Sequence, residues 1–485
     1  MSGLLFRIKR KEVIIPLLLG LGSILFYIPF LLKGFICCDI QWIANAKIAL
    51  NNPLHYFSRS MYGYFRPLTM AFFSVLYSLF GLNPFIFSLI SKSVHTLNVI
   101  LLYYVCRKLD LSILVSSIAS FFFAFYVVNS SAVFYISTLH DLLSLTCILL
   151  FLLFLIKFYS TQDMRSGALL IVFAIAATLF KEMGLMTIGL YILVPLVLKR
   201  KINTSRNYII IGVILVSFSV VYLGLYFITR TYADKQLISN FSVLKNLLYS
   251  VVFTISPVTE RIVAFLPKSL IPVLHILKIL FTIALIPSIL YLYRFGPGSI
   301  RIMLIWPFLF LLPISMFDWH IGLFSLYPDS TMTRYMYVAI PGVGVVIGWV
   351  IERLMTKHRS IFSYKSLIVL GFLFIAINFF AAQRVFGLYY YKSNFVNSLV
   401  KQFNKIEMYY PNLSKITIST PNLDETEQEI GDSEIASYLY WLYCHRLIEF
   451  QVIEGRQQRA YYDSSGTLHL IWNIQKQKLD LPNKE

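Results

Sequence analysis

Apolar residues run in blocks along most of this chain, and many blocks reach the roughly 20 residues a helix needs to cross a bilayer. Blocks near 13–33, 84–106, 112–128, 141–158, 167–182, 184–198, 207–228, 270–293, 301–317, 334–353 and 365–384 read as eleven spans. Inside hydrocarbon every backbone polar group needs an internal partner, so these blocks predict helices. Residues 240–269 break the pattern. Pro257, Glu260, Arg261 and Pro267 interrupt the apolar residues there and predict an external or re-entrant segment.

Two further stretches are apolar with helical spacing. Between the first two spans, Trp42, Ile43, Ala46 and Leu50 can share one helical face, with Gln41, Asn45 and Lys47 elsewhere. Residues 67–80 are apolar but short for a span. Both predict helices lying at the membrane interface. After residue 384 the pattern changes. Lys415–Thr420 alternates like a strand, Glu434–Phe450 has helical spacing, and Tyr461–Trp472 reads as a hairpin turning at Asp463-Ser-Ser-Gly466. The expected architecture is an all-α polytopic membrane domain over 1–384, followed by a small α/β domain over 385–485.

Composition supports that division. Of 485 residues, 58% are hydrophobic and only 13% charged, about half the charged share of a soluble domain. Residues 1–384 hold 32 Lys and Arg against 11 Asp and Glu, whereas residues 385–485 hold 10 against 12. A nucleic-acid-binding protein would put its basic excess in the polar domain. Here the excess lies between spans, where it acts as a topology signal and meets anionic lipid headgroups. Arg107-Lys108, Lys199-Arg200-Lys201, Arg294–Arg301 and Arg353–Lys365 fall on one side with the N-terminus, which marks that side as cytoplasmic. Eleven spans then put the C-terminal domain outside. The first apolar run, Val13–Leu32, is of full spanning length without a small-residue cleavage site, so it reads as an uncleaved span. A bacterial plasma membrane is the default expectation, and an endomembrane would put the same face in the lumen. The five cysteines, Cys37, Cys38, Cys106, Cys147 and Cys444, have no zinc or disulfide spacing.

With acids so scarce in the membrane half, their positions are informative. Asp39, His140, Asp141, Lys181, Glu182, Asp318, His320 and Arg334 all fall at external span ends. Ionisable groups there usually face a cavity or a partner, because hydrocarbon does not tolerate them unpaired. Some could equally snorkel to headgroups. Asp39, His140, Asp141 and Glu182 carry oxygen and nitrogen donors suited to a divalent metal ion, but no spacing code decides for one. His95 and Asn98 are expected to pack between helices through polar contacts.

Several short segments, in this order, make the chain resemble the GT-C superfamily of membrane glycosyltransferases, which use polyprenyl-phosphate sugar donors. They are Asp39 after the first span, Phe65-Arg66-Pro67-Leu68-Thr69, Leu79-Phe80-Gly81-Leu82-Asn83-Pro84 and His95-Thr-Leu-Asn98. Thr138-Leu-His-Asp141, Phe180-Lys181-Glu182 and Thr333-Arg334-Tyr335-Met-Tyr337 with Pro341 follow. The resemblance covers about residues 13–384 and is nearest to the protein O-mannosyltransferase-like and transmembrane-TPR-associated branches. Many relatives carry two acids after the first span, where this chain has Cys38-Asp39.

The resemblance implies inverting transfer from a polyprenyl-phosphate-linked sugar to a hydroxyl on a glycan, lipid or protein acceptor at the extracytoplasmic face. Asp39 would be the catalytic base, since an acceptor hydroxyl is a weak nucleophile. Lys181 and Arg334, with Arg66 as a third candidate, would meet the donor phosphate; Arg66 could instead cap the interfacial helix. His140, Asp141 and Glu182 would orient the acceptor or a metal. Two other readings stay open: a lipid-linked glycan polymerase or ligase, and a polytopic transporter. A scaffold retaining the fold is a further alternative, favoured by Cys38.

Overall fold

The computed structural model describes residues 10–32, 34–36, 38–57, 65–198, 206–229, 240–255, 271–315, 332–357, 363–420, 433–446, 448–454, 460–463, 465–473 and 478–480. Its helices, in order, begin with α1 (Arg10–Tyr27), α2 (Cys38–Asn51), α3 (Pro67–Phe80), α4 (Pro84–Lys108), α5 (Ile113–Phe125) and the short α6 (Ser130–Phe134). Then come α7 (Leu139–Thr161), α8 (Met164–Phe180), α9 (Thr187–Val197), α10 (Arg206–Thr229) and α11 (Asn240–Ile255). The series closes with α12 (Ile271–Phe295), α13 (Gly298–Ser315), α14 (Ile340–Lys357), α15 (Tyr364–Tyr409) and α16 (Ser433–Cys444). Helices thus stand at all eleven positions where the hydropathy pattern places spans.

Length and composition qualify fewer of them. Among the described residues six helices are long and apolar enough to cross a membrane, within 11–30, 84–108, 136–161, 206–228, 298–315 and 364–409. A seventh arises if α5 and the helical residues 127–134, bent 48° to each other, count as one. The 17-residue α8 and the 11-residue α9 fall short.

Local signals set the helix ends. Asn83 accepts from the Ile86 N–H at 3.4 Å while Pro84 fills the first helical position of α4. Ser112 caps α5, accepting from Val115 at 3.1 Å. Gln162, with φ of 52°, closes α7, and Asp163 then accepts from the N–H groups of Arg165 and Ser166 to start α8. The α7–α8 hairpin therefore brings the end of α8 back beside the start of α7, where two of the candidate charged pairs lie.

The core lies where α4, α5, α7, α8, α13 and α14 meet, around Phe123, Phe134, Leu145, Trp306 and Tyr337. α14 crosses α5 closely because Gly344 and Gly348 face it. A Cβ on either would lie 2.9 Å from a backbone oxygen, of Ala119 and of Val115 respectively. Such spacing of small residues lets helices pack in lipid, where apolar burial gives no preference for protein over acyl chains.

The C-terminal residues form strands β1 (Lys415–Thr420), β2 (Glu449–Glu454), β3 (Tyr461–Tyr462), β4 (Thr467–Asn473) and β5 (Lys478–Asp480). β1 lies parallel between β2 and β4, while β3 and β5 pair antiparallel with β4. The expected strand at 415–420 and the hairpin after Tyr461 are both present. The helix expected over 434–450 stops at Cys444: His445 takes a φ of 58°, and 449–454 pair with β1 instead. α15 runs unbroken from the membrane half through residue 384 to Tyr409, and Phe403 and Ile406 pack under the sheet.

α2 differs from an interfacial helix with one buried face. Asp39, Gln41, Trp42, Ile43, Asn45, Ala46 and Ala49 are all buried, because α2 lies against both α3 and α16. Trp42 stacks on Phe73 at 5.9 Å, and Asn45 is satisfied by the Gln41 carbonyl and His55.

The α5–α14 contact yields a prediction. Gly348→Leu, which must displace backbone, should cost about 1–3 kcal/mol and lower the thermal unfolding midpoint in detergent. Gly224→Ala, where an added Cβ meets nothing within 4 Å, should leave the midpoint unchanged. Equal midpoints for wild type and Gly348→Leu would refute the close crossing.

Candidate functional site

Five of the seven candidate side chains converge. Arg66 precedes Pro67, which keeps its backbone out of the helical region at the start of α3. Its neighbour Phe65 is anchored by the Tyr222 hydroxyl, which donates to the Phe65 carbonyl at 3.0 Å. Thr69 donates to the Phe180 carbonyl at 2.7 Å, fastening the start of α3 to the end of α8. There the chain turns extended at Lys181 and enters a 3-10 turn, Glu182–Met186. That turn folds so tightly onto α8 that a Cβ at Gly184 would lie 2.2 Å from the Thr178 nitrogen, so only glycine fits. His140 and Asp141 open α7.

Their side chains form one chain of alternating charge. Arg66 meets Glu182 through two parallel bonds, Nε to Oε2 at 2.8 Å and Nη2 to Oε1 at 2.6 Å, the bidentate geometry that suits guanidinium and carboxylate. Its Nη1 lies 3.0 Å from His140 Nε2. His140 Nε2 also lies 3.2 Å from Asp141 Oδ2, and Lys181 Nζ pairs with Asp141 Oδ1. The Asp141 and Lys181 side chains are each only 1% exposed, whereas Glu182 is 22% exposed and marks the open end.

A guanidinium can only donate. His140 Nε2 therefore accepts from Arg66, and the imidazole proton sits on Nδ1. That leaves two buried atoms without a hydrogen-bond partner among the described residues, His140 Nδ1 and Asp141 Oδ2. One is a donor, the other an acceptor.

Arg334 joins through an aromatic ring. It lies in the 3-10 turn Met332–Met336 and donates to the Tyr335 hydroxyl at 3.0 Å. Its guanidinium is 4.9 Å from the Tyr335 ring centre and 6.0 Å from that of Tyr135. Lys181 Nζ lies 4.7 Å from the same Tyr335 ring. Arg334 is half-buried and has no carboxylate partner within ion-pair distance among the described residues.

Asp39 stands beside this chain rather than in it. Its Oδ2 accepts from the Ile36 N–H at 3.0 Å and its Oδ1 from the Ser137 N–H at 2.6 Å, tying the first turn of α2 to the segment leading into His140. Full burial pushes its carboxyl up to about 8, against the two backbone donors that favour the charged form. Trp42, one turn along α2, lies 5.7 Å from the His140 ring.

Asp318 and His320 lie outside the described residues. Among the described residues no three His, Cys, Asp or Glu side chains gather to hold a metal ion. The carboxylates of Asp141 and Glu182 face Lys181 and Arg66 instead. His95 and Asn98 do pack between helices, on Tyr337, Ala124 and Leu142. Sequence reasoning missed Tyr335 as the ring between two cations, and Tyr135, whose hydroxyl accepts from the Cys38 N–H at 3.3 Å. The only signal for either was an aromatic residue beside the candidate motifs.

The Arg66–Glu182 pair can be tested directly. Removing one member, as in Arg66→Met, strands a buried charge and should cost about 3–5 kcal/mol. The double variant Arg66→Met/Glu182→Met should recover part of that loss. Thermal unfolding of all four members of the cycle measures the coupling, and additive losses would show the two residues do not interact.

No protein-family model matches this chain, and no curated protein matches it in sequence. Solved structures do match in fold. The oligosaccharyltransferase of Archaeoglobus fulgidus, tethered to an acceptor peptide with an NVT sequon, superposes with a TM-score of 0.51 at 13% identity, over 92% of this chain and 64% of that one. The same organism's AglB, in complex with an inhibitory peptide and a dolichol-phosphate, superposes with a TM-score of 0.50 at 12% identity, over 91% and 64%. This chain thus spans a little under two thirds of the length of those proteins. The likeness is one of fold, and the fold is the GT-C fold that the sequence motifs resemble.

Proposed function

We propose that this chain is an inverting GT-C glycosyltransferase that moves a sugar from a polyprenyl-phosphate donor to an acceptor hydroxyl on the extracytoplasmic face. The observation that carries the reading is the buried, alternating cluster of Arg66, Glu182, His140, Asp141 and Lys181, with Arg334 adjoining and Asp39 alongside. The neighbour of like fold was solved in complex with a dolichol-phosphate, which is a polyprenyl phosphate of the proposed kind. Eleven spans, a transmembrane domain over 1–384 and an external domain over 385–485 in a bacterial plasma membrane complete the proposal.

The chemistry asks for two things. The phosphate gains negative charge as the sugar leaves, and fixed cations must stabilise it. Arg334, without a carboxylate partner among the described residues, takes that role. Lys181 and Arg66, already paired with Asp141 and Glu182, add no net charge but hold oriented ion pairs behind it. The acceptor hydroxyl must lose its proton, and Asp39 accepts it. Attack opposite the leaving phosphate inverts the anomeric centre, as in enzymes that displace directly. A second assignment of the base follows from the unpartnered Asp141 Oδ2, which would accept the proton while His140 Nδ1 holds an acceptor oxygen.

The test is transfer of radiolabelled sugar from a panel of polyprenyl-phosphate monosaccharides by the purified chain. Asp39→Asn should slow transfer about 10²–10⁴-fold while donor binding persists. A base must be deprotonated to act. With the Asp39 carboxyl raised to about 8, the rate should climb as pH rises from 6 and level off above 8, and this limb should vanish in Asp39→Asn. If Asp39→Asn transfers at the wild-type rate and Asp141→Asn does not, the base is Asp141. No transfer and no binding with any donor would sink the glycosyltransferase reading.

A further inference from the structure

α4 carries a stripe that the proposed chemistry leaves unused. Ser88, Ser91, Lys92, His95 and Asn98 recur every three or four residues, so they share one helical face, and all five are fully buried. In a span, a row of polar side chains persists only where other backbone and side-chain groups satisfy it. The lower part grips two neighbouring segments. Ser88 Oγ accepts from the Leu32 N–H at 3.3 Å, and Ser91 and Lys92 both donate to the Val133 carbonyl, at 3.0 and 3.4 Å.

The upper part reaches the site. Asn98 Nδ2 donates to the Leu142 carbonyl at 2.9 Å, one residue after Asp141, and to the Tyr337 hydroxyl at 3.2 Å, three residues after Arg334. Tyr337 Oη is 2.9 Å from His95 Nδ1, and His95 Nε2 is 3.4 Å from the Ala124 carbonyl. These bonds have one self-consistent direction: Asn98 donates to Tyr337, Tyr337 to His95, and His95 to Ala124. Thr146 Oγ1 lies 2.7 Å from Asn98 Oδ1 and 2.9 Å from the Leu142 carbonyl. Because the Asn98 NH2 faces Leu142 and Tyr337, the single hydroxyl proton serves Oδ1 and holds the amide in that orientation.

We infer that Asn98, oriented by Thr146, is a positioning residue that sets the Arg334–Tyr335 turn against the start of α7, and so sets Arg334 against Asp141. The inference rests on the glycosyltransferase reading for its consequence, but not for its geometry. Asn98 touches no reacting atom. It acts because one amide binds both segments at once, so their separation is held by two hydrogen bonds from a single rigid group. A clamp of this kind matters most where charge develops, because Arg334 must already stand where the departing phosphate will be.

The experiment compares Thr146→Val, which keeps the shape and loses the donor, with Thr146→Ser, which keeps the hydroxyl, and adds Tyr337→Phe. The full chain in nanodiscs is used throughout. Hydrogen–deuterium exchange over residues 334–339 should rise about tenfold in Thr146→Val and Tyr337→Phe and stay at the wild-type level in Thr146→Ser, as expected where local opening depends on few hydrogen bonds. Undecaprenyl phosphate, the probe for the released leaving group, carries the fully developed charge. Its binding should weaken about tenfold in the first two variants, and kcat should fall in parallel, while KM for the donor stays within about threefold. A merely structural role would lower the unfolding midpoint without that split. Unchanged exchange in Thr146→Val and Tyr337→Phe would overturn the clamp. A wild type that neither binds undecaprenyl phosphate nor transfers sugar would overturn the functional reading instead, and the exchange result would still decide the clamp.

Discussion

An ion taken out of water must be compensated locally, and that constraint organises the external end of this molecule. Isolated charges in a low-dielectric interior cost several kcal/mol each, yet Arg66, Asp141 and Lys181 are nearly sealed from solvent. They survive because the order Glu182, Arg66, His140, Asp141, Lys181 alternates acid and base across one neutral imidazole. Each link is made by a different element: the start of α3, the start of α7 and the end of α8. Helix packing alone would leave those three ends free to slide. The charges fix their register, since a displaced partner would strand its neighbour.

Further restraints hold the same ends from outside the charge chain. Thr69 and the Phe180 carbonyl join α3 to α8, Tyr222 holds Phe65 from α10, and Asp39 joins α2 to the segment before His140. α2 in turn packs on α16, and Phe403 of α15 reaches the sheet. The C-terminal residues are therefore not a tethered appendage. Gly34 donates to Ser393 Oγ at 2.6 Å, so the loop before Asp39 leans directly on α15. Strain applied to the sheet would reach Asp39 through two short paths, one along α2 and one along α15.

What the sequence made legible follows from the range of each signal. Helix positions were readable because hydropathy and caps such as Asn83 and Ser112 act within a turn. The site residues were readable because an ionisable group at a span end is conspicuous against so apolar a background. Burial of the polar side of α2 was not readable, because the Asn45 amide is satisfied by the Gln41 backbone carbonyl on the same helix and by His55 in the following turn, beneath α16, a partner four hundred residues away. The end of α16 was missed for a similar reason. Ile435, Tyr438, Leu439, Leu442 and Leu447 have helical spacing, but β1 offers Phe450 and Val452 a parallel neighbour, and pairing overrides periodicity. Tyr335 was quoted within the Arg334 motif but given no role, because an aromatic next to an arginine is common in sequence. Only the fold puts Lys181 on the same ring.

The charge arrangement also says where an anion would go. Arg66 with Glu182, and Lys181 with Asp141, cancel pairwise, and a neutral His140 adds nothing. Among the described residues the remaining charge is Arg334, half-buried and set over the Tyr335 and Tyr135 rings rather than against a carboxylate. A cation on an aromatic face keeps much of its field, because the ring's quadrupole stabilises it without cancelling its charge. A carboxylate in the same place would have neutralised it. The cluster therefore presents one net positive charge, aimed by Tyr335 and backed by two dipolar ion pairs whose orientation is already fixed. Substituting an acid for Tyr335 would keep Arg334 in place yet erase this asymmetry, which makes the ring, not only the guanidinium, part of what the site offers an anion.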